Sequence, residues 1–272
     1  FAFSTNSRGS RIIEILKEYS AIKGKSFLDV GCAYCGFLVA ANLAGAKSVQ
    51  GIDISGDLIE LGKANLRDYA VNADVRIADI LDNKYVEEKK EKFDLITCND
   101  VIEHVLDPEL AIKNIAYMLP KNGIVMFEIP NMNHPQFVRS DGHFSVFAIT
   151  LLSREDAINY YKDSFGGSYS SVGFYHTLDT YQKFFRKSRL KFIIDSSTLE
   201  GISKEAIQNN IEYLRKNLRE LVSEVNEKYQ GLVETKVQEY IKQFDENCKK
   251  MSEQDLILYY GPAFWTIIGK KC

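Results

Sequence analysis

Short strand-like runs and helical stretches alternate through the first half of this chain, and that alternation restricts its fold more than any other feature of the sequence. Ser26 to Val30 is a compact apolar run entering a glycine-containing turn, with a helix behind it from Cys35 to Ala44. Ser48 to Ile54 reads as the next strand, followed by a helix from Asp57 to Ala70. Asp74 to Asp79 and Phe93 to Cys98 are the third and fourth strands. A helix from Pro108 to Met118 leads through Pro120-Lys121-Asn122-Gly123 into a fifth, Ile124 to Ile129. Strands spaced by roughly 20 to 30 residues, with helices between them, predict right-handed βαβ units and a parallel sheet.

The alternation stops after Pro130. Residues 131–176 hold three of the four histidines and a dense set of aromatics: Phe137, Phe144, Phe147, Tyr160, Tyr161, Phe165, Tyr169, Phe174 and Tyr175. Ser153 with Asp156 three residues on marks a helix start inside it. The segment leaves the sheet at the carboxyl end of the fifth strand, where open α/β sheets bind ligands. It is therefore expected to cover a substrate, the plain alternative being an extension of the core. Thr177 caps a helix from Leu178 to Lys187 that returns the chain to a sixth strand, Leu190 to Ser196, and the last strand is Ala263 to Ile268. The expected architecture is a doubly wound, mostly parallel seven-stranded α/β sheet. Its parts are a core over 1–130, a lid over 131–176, a return to the core over 177–200, an insertion over 201–258 and a final core strand in 259–272.

That insertion carries its own pattern. Ile207, Ile211, Leu214, Leu218, Leu221, Val225 and Tyr229 recur at three- and four-residue steps, as do Val233, Val237, Tyr240 and Phe244, giving an apolar stripe on a charged helical background. One helix from Ser203 to Asn247 would run roughly 67 Å, whereas Cys248 to Pro262 spans at most about 50 Å, so the chain would not close on the sheet. A break near Gly231 gives two arms that cancel, hence a protruding antiparallel helical hairpin. Homodimerisation is its first expected role; docking of a partner and packing on the sheet are the others.

Charge narrows the function. Lys and Arg total 34 against 37 Asp and Glu, a net charge of −3, so the basic excess of a nucleic-acid binder is missing. No stretch approaches the length of a membrane-spanning helix, and residues 1–11 lack the apolar core of a signal peptide. Five scattered cysteines do not make a disulfide scaffold. A reduced, cytoplasmic protein with a small-molecule partner is the expectation.

The chemistry concentrates at the strand ends. The first strand runs into Gly31-Cys32-Ala33-Tyr34-Cys35-Gly36, whose small residues let the backbone approach a ligand. The second ends in Asp53, 17 residues beyond Gly36, where a carboxylate can accept from both hydroxyls of an adenosine ribose. A nicotinamide dinucleotide and S-adenosylmethionine are served equally so far. Asp29, just before the turn, separates them, because a carboxylate repels a pyrophosphate and attracts an amino group or a sulfonium. Ala78-Asp79-Ile80 ends the third strand with an acid and an apolar residue that suit adenine. Cys32 and Cys35 form a C-x-x-C pair, but no second pair completes a zinc site, so no metal is expected.

These segments, with Val101-Ile102-Glu103-His104-Val105-Leu106-Asp107-Pro108 after the fourth strand, resemble the class I S-adenosylmethionine-dependent methyltransferases, in particular the E-H-V-x-D-P branch of small-molecule and sugar methyltransferases. The resemblance covers Lys25 to Pro130 and the strand Phe264 to Ile268, and implies a Rossmann-like methyltransferase fold. It implies that Asp29, Gly31, Cys32, Ala33 and Gly36 surround the methionine portion, that Asp53 and Ile54 meet ribose and adenine, that Asp79 and Ile80 hold adenine, and that Asn99 offers its backbone carbonyl. Ala33 stands where members often have a second glycine.

Transfer to a hydroxyl needs a proton acceptor. His104 is one candidate, as base or as packing against the cofactor. Asp141-Gly142-His143 in the lid is another, with His143 as base beside the Asp141 carboxylate and the structural histidine as the alternative. His134 and His176 rank lower, and Arg139 suits an anionic acceptor. The stretch from Asp141 to Leu152 is similar to methyltransferases of surface-polysaccharide assembly, which implies O-methylation of a sugar or sugar phosphate. A protein methyltransferase docking through the hairpin and a non-catalytic scaffold are the other readings.

Overall fold

In the computed structural model the chain is described over residues 4–169 and 175–272, so Phe174 of the lid aromatics lies outside the described residues. The elements run α1 (Thr5–Lys17), β1 (Ser26–Val30), α2 (Gly36–Leu43), β2 (Ser48–Asp53), α3 (Gly56–Asp68), β3 (Asp74–Ile77), α4 (Asn83–Glu88), β4 (Leu95–Asn99), α5 (Pro108–Met118) and β5 (Ile124–Pro130). They continue as α6 (Pro135–Arg139), α7 (Arg154–Phe165), α8 (Leu178–Lys187), β6 (Leu190–Ile194), α9 (Lys204–Ser223), α10 (Gln230–Lys250), α11 (Glu253–Tyr260) and β7 (Phe264–Lys271). Two compact units result. One comprises Phe1–Ile129, Gln182–Asp195 and Thr266–Cys272, the other Pro130–Tyr181 and Ser196–Trp265.

The first unit is built on a seven-stranded sheet of order β3-β2-β1-β4-β5-β7-β6. β1 pairs parallel with β2 and β4, β2 with β3 and β4 with β5, while β6 and β7 are antiparallel. The order reverses between β1 and β4, the point at which such sheets leave a crevice beyond their carboxyl ends. The inner strands read as continuous apolar runs because both faces are covered: every residue of β4 and β5 is buried. Asp107 caps α5, accepting from the Leu110 amide with Pro108 in the first turn. β3 is shorter than expected. It ends at Ile77, and the Asp79 side chain turns back to accept from the Leu81 amide.

Helix α1 has no counterpart in the strand-helix reading. Its face Ile12, Ile13, Ile15 and Leu16 is buried in a cluster with Phe37, Leu38 and Ala41 of α2. The two helices touch through glycines: a Cβ on Gly9 would sit 2.5 Å from the Gly36 carbonyl oxygen, and one on Gly36 would collide with Thr5.

In the second unit α9 and α10 pack together as an antiparallel pair. Their stripe does not stand free. Ile207, Ile211, Leu214, Leu218, Val225, Tyr229, Val233, Val237, Tyr240 and Phe244 share one core with Val138, Ala148, Ile149, Ala157, Tyr160 and Tyr169 of the lid. Lid and hairpin are thus one unit rather than two appendages, and the seam that suggested a dimer is used inside the chain. The stripe also shifts near its end, where Val222 is buried and Leu221 only partly so.

The chain turns at residues 224–229, ahead of Gly231, which lies inside α10. Asp163 near the end of α7 sets the place: its carboxylate takes Lys228 Nζ at 2.6 Å and Tyr229 Oη at 2.7 Å, and its carbonyl takes Asn226 Nδ2 at 3.2 Å. Asn226 in turn caps the following 3-10 turn. The expected caps at Ser153 and Thr177 form, accepting from the amides of Asp156 and Thr180.

Gly9→Ala is expected to lower stability by about 1–3 kcal/mol, the range for a methyl forced into a closed contact. A fall in the urea midpoint with unchanged slope checks it; an unchanged midpoint would show that the helices can separate freely.

Candidate active site

The turn after β1 is held in left-handed backbone. Gly31 has φ +76°, Ala33 +38° and Cys35 +60°, conformations that cost little for glycine and more for the other two. Gly31 is required twice over, since a Cβ there would also collide with the Val101 side chain. The turn hangs on β2: the amides of Gly31 and Cys32 both donate to the Ile52 carbonyl, at 2.8 and 3.0 Å. The Ala33 amide donates to Asp53 Oδ2 at 2.9 Å, while Asp53 Oδ1 accepts from Ser55 at 2.8 Å. One carboxylate therefore fixes both the turn and the N-cap of α3, and each of its oxygens keeps a lone pair for a ligand.

Asp29 is 3% exposed and accepts from Thr97 Oγ1 at 2.7 Å. Burial pushes its pKa up to about 7 and the charge of Asp53 adds to the rise, against the Thr97 bond and Arg8. Glu103 is fully buried and is pushed up to about 8 by burial and by Asp100. His104 keeps its ring half-buried, with Nε2 3.7 Å from Glu103 Oε1.

At the neighbouring strand ends Ile54 is 75% exposed and Ile77 67%, whereas Ile80 is 4% exposed and its carbonyl accepts from Asn114. The apolar surface at the edge of β2 and β3 is thus made by Ile54 and Ile77; Ile77 was not singled out from the sequence, and Ile80 belongs to the core. Asp79 is exposed beside them. Asn99 is buried and exchanges hydrogen bonds with Glu128 through both its side-chain atoms.

Sequence reading also missed Arg8. Its guanidinium meets Asp100 Oδ2 at 2.6 Å and Glu128 Oε2 at 2.7 Å, and Arg11 pairs with the other oxygen of Glu128. The network lies on Asp100 (φ +53°), immediately after β4. Its only local signal was two arginines three residues apart on a helix.

The lid candidates all fall in the second unit. The expected pairing of Asp141 with the His143 ring is not formed. Asp141 is 2% exposed and its carboxylate accepts from the amides of His143, Phe144 and Val146 at 3.2, 3.1 and 3.0 Å, so it staples its own loop. His143 is exposed, and its Nδ1 lies 2.7 Å from the Tyr175 hydroxyl. Arg139 stacks its guanidinium 3.9 Å above the Tyr213 ring. His134 faces the Tyr260 carbonyl and His176 the edge of Tyr181, and burial lowers the pKa of both. Cys32 and Cys35 are free, buried thiols.

A methyltransferase-domain family model matches residues 6–170, more than half of the chain. The chain belongs to the S-adenosylmethionine-dependent methyltransferases of class I. Within that family it is similar to a ubiquinone biosynthesis O-methyltransferase of Coxiella burnetii, 29% identical over 147 residues (54% of this chain, 57% of the relative). It is also similar to one of Hydrogenovibrio crunogenus, 30% identical over 127 residues (46% and 51%). The chain therefore spans about half the length of the curated relatives it matches. An S-adenosylmethionine-dependent methyltransferase of Mesorhizobium loti has the same fold, with TM-score 0.54 and 15% identity over 96% of this chain and 98% of that one. No helix among the described residues is long and apolar enough to cross a membrane.

The raised pKa of Asp29 has a signed consequence. Its folded value of about 7 lies above the ordinary aspartate value of 3.8, so folding binds a proton; the stability it contributes is present below about pH 4 and is lost as pH rises through 7. Asp29→Asn is expected to gain stability over the parent protein more at pH 8 than at pH 5, read as the difference of urea midpoints at the two pH values. A difference independent of pH would mean that Asp29 is ionised throughout.

Proposed function

We propose that this chain transfers the methyl group of S-adenosylmethionine to a hydroxyl oxygen of a small acceptor. The observation that carries the reading is the pair of buried carboxyls, Asp29 and Asp53, flanking a left-handed glycine turn at the switch point of the sheet. A pyrophosphate would meet negative charge there, whereas an amino group and a sulfonium are favoured. The donor set fits the cofactor in its other parts too. Asp53 retains acceptor capacity for ribose hydroxyls, and the exposed Ile54 and Ile77 offer flat apolar surface for a purine, with Asp79 beside them.

S-adenosylmethionine, when bound, supplies a methyl carbon activated by the positive sulfur. Asp29 attracts the amino end, with Gly31, Cys32, Ala33 and Gly36 supplying a close backbone wall and Asn99 its carbonyl. Transfer to a hydroxyl would require its proton to pass to a base of the chain. His104 and His143 are the two imidazoles assigned to that role. Asp141 acts by fixing the loop that carries His143.

The acceptor we assign is a sugar or sugar phosphate. The sequence of the lid supports it. The names of the curated relatives favour a second acceptor, an intermediate of ubiquinone biosynthesis.

Calorimetric titration with S-adenosylmethionine tests the first step. Asp53→Ala removes a charged acceptor and is expected to weaken binding by roughly 100-fold, with circular dichroism showing a folded protein; equal affinity in the variant would sink the assignment. For the second step, replacing the true base by alanine, at His104 or His143, is expected to cut kcat by about 100- to 10,000-fold with cofactor affinity retained. Full activity in both variants would leave neither histidine a role in proton transfer.

A further inference from the structure

The second unit contains a cleft of about 670 Å3 that none of the candidate residues above lines. One wall is α10, which presents Glu239, Gln243 and Asn247 at four-residue steps, with Lys236 one turn before. The facing walls are the end of α11, with Tyr259 and Tyr260, and the first turn of α8, with Asp179. A cleft of this size accepts a small organic molecule, for which the usual range is about 300–1,000 Å3.

Its charges decide what class of molecule. Lys236 Nζ is paired with Glu239 at 2.8 Å, so the cation on the wall is already neutralised and Asp179 leaves the lining slightly negative. A phosphate or carboxylate gains nothing there, and a quaternary amine would have to sit beside Lys236. What remains is an array of neutral groups that both donate and accept. Gln243 Nε2 donates to Asn247 Oδ1 at 3.0 Å and Asn247 Nδ2 donates to Tyr260 Oη at 2.8 Å, a relay in which each carboxamide keeps a further donor and acceptor site. Tyr259 Oη donates to Asp179 Oδ2 at 3.1 Å, leaving the second carboxylate oxygen outward. Adjacent hydroxyl groups, each a donor and an acceptor, match such planar amide and carboxylate edges. The bodies of the tyrosines, with Leu151 and Met251, supply apolar surface for the C–H faces between those hydroxyls.

We propose that this cleft binds a neutral polyhydroxylated ligand, a saccharide or cyclic polyol, through the Gln243–Asn247–Tyr260 relay and the Tyr259–Asp179 pair. The binding stands by itself; only the naming of that ligand as the methyl acceptor rests on the proposed transfer reaction.

Saturation-transfer difference NMR on the full chain tests it, with methyl α-D-glucopyranoside, methyl α-L-rhamnopyranoside and myo-inositol as probes. Ring protons of at least one probe are expected to receive saturation. The binding should weaken about fivefold in Gln243→Ala, an exposed position whose loss leaves the fold intact, and again in Asn247→Ala. Inorganic phosphate and tetramethylammonium are expected not to compete. No saturation of any probe, equal saturation in both variants, or displacement by phosphate or tetramethylammonium overturns the proposal. Titrating the same sample with S-adenosylmethionine keeps the two conclusions apart. Cofactor binding without saccharide binding removes only the cleft, and saccharide binding without cofactor binding removes only the transferase reading.

Discussion

The carboxylate of Asp53 organises the first unit. It takes one amide from the turn after β1 and one from the start of α3, so two segments that leave neighbouring strands are tied to a single buried charge. Without it the left-handed residue Ala33 would lose a bond that offsets its backbone strain. The same turn places Gly31 where a Cβ would collide with Val101. The carboxylate we assign to the cofactor is thus also what holds the turn in shape, and the two roles cannot be separated by deleting it.

Around this centre the first unit gathers more carboxyls than cations: Asp29, Asp53 and Glu128 near the ends of β1, β2 and β5, and Asp100 and Glu103 just after β4. Among the described residues Arg8 and Arg11 pair with Asp100 and Glu128. Burial raises the pKa of Asp29 and of Glu103 and so favours their protonated forms. Carboxyl oxygens in such number favour a cationic sulfonium donor over a ligand with a phosphate bridge.

How far the sequence disclosed this depended on how local each determinant is. The glycine turn, the acids of β1 and β2 and most element limits were legible because they follow from spacing within about thirty residues. Arg8 was not, since its partners lie 92 and 120 positions away and the helix that carries it is admitted only by the contact of Gly9 with Gly36. The hairpin was foreseen from its period. Its turn was misplaced because a glycine is a weaker instruction than Asp163, a residue of another helix that fastens Asn226, Lys228 and Tyr229. Asp141 was read as a partner for the neighbouring imidazole, whereas three backbone amides of its own loop lie closer to hand. For Arg8 and the hairpin turn the deciding partner lay far along the chain; for Asp141 it lay nearby but on the backbone rather than on a side chain.

The strand order carries a consequence for biosynthesis. β7 pairs between β5 and β6, yet more than 130 residues separate the end of β5 from its start. At ribosomal rates of roughly 5–20 residues per second, the outer edge of β5 waits on the order of ten seconds for its neighbour. During that interval an apolar edge strand, buried along its whole length in the finished protein, is open to any other nascent chain. The helices of the second unit are made in the same window, before β7 completes the sheet. A molecular chaperone that shields extended apolar segments would therefore be needed most during translation of the second unit, well after the cofactor turn has formed.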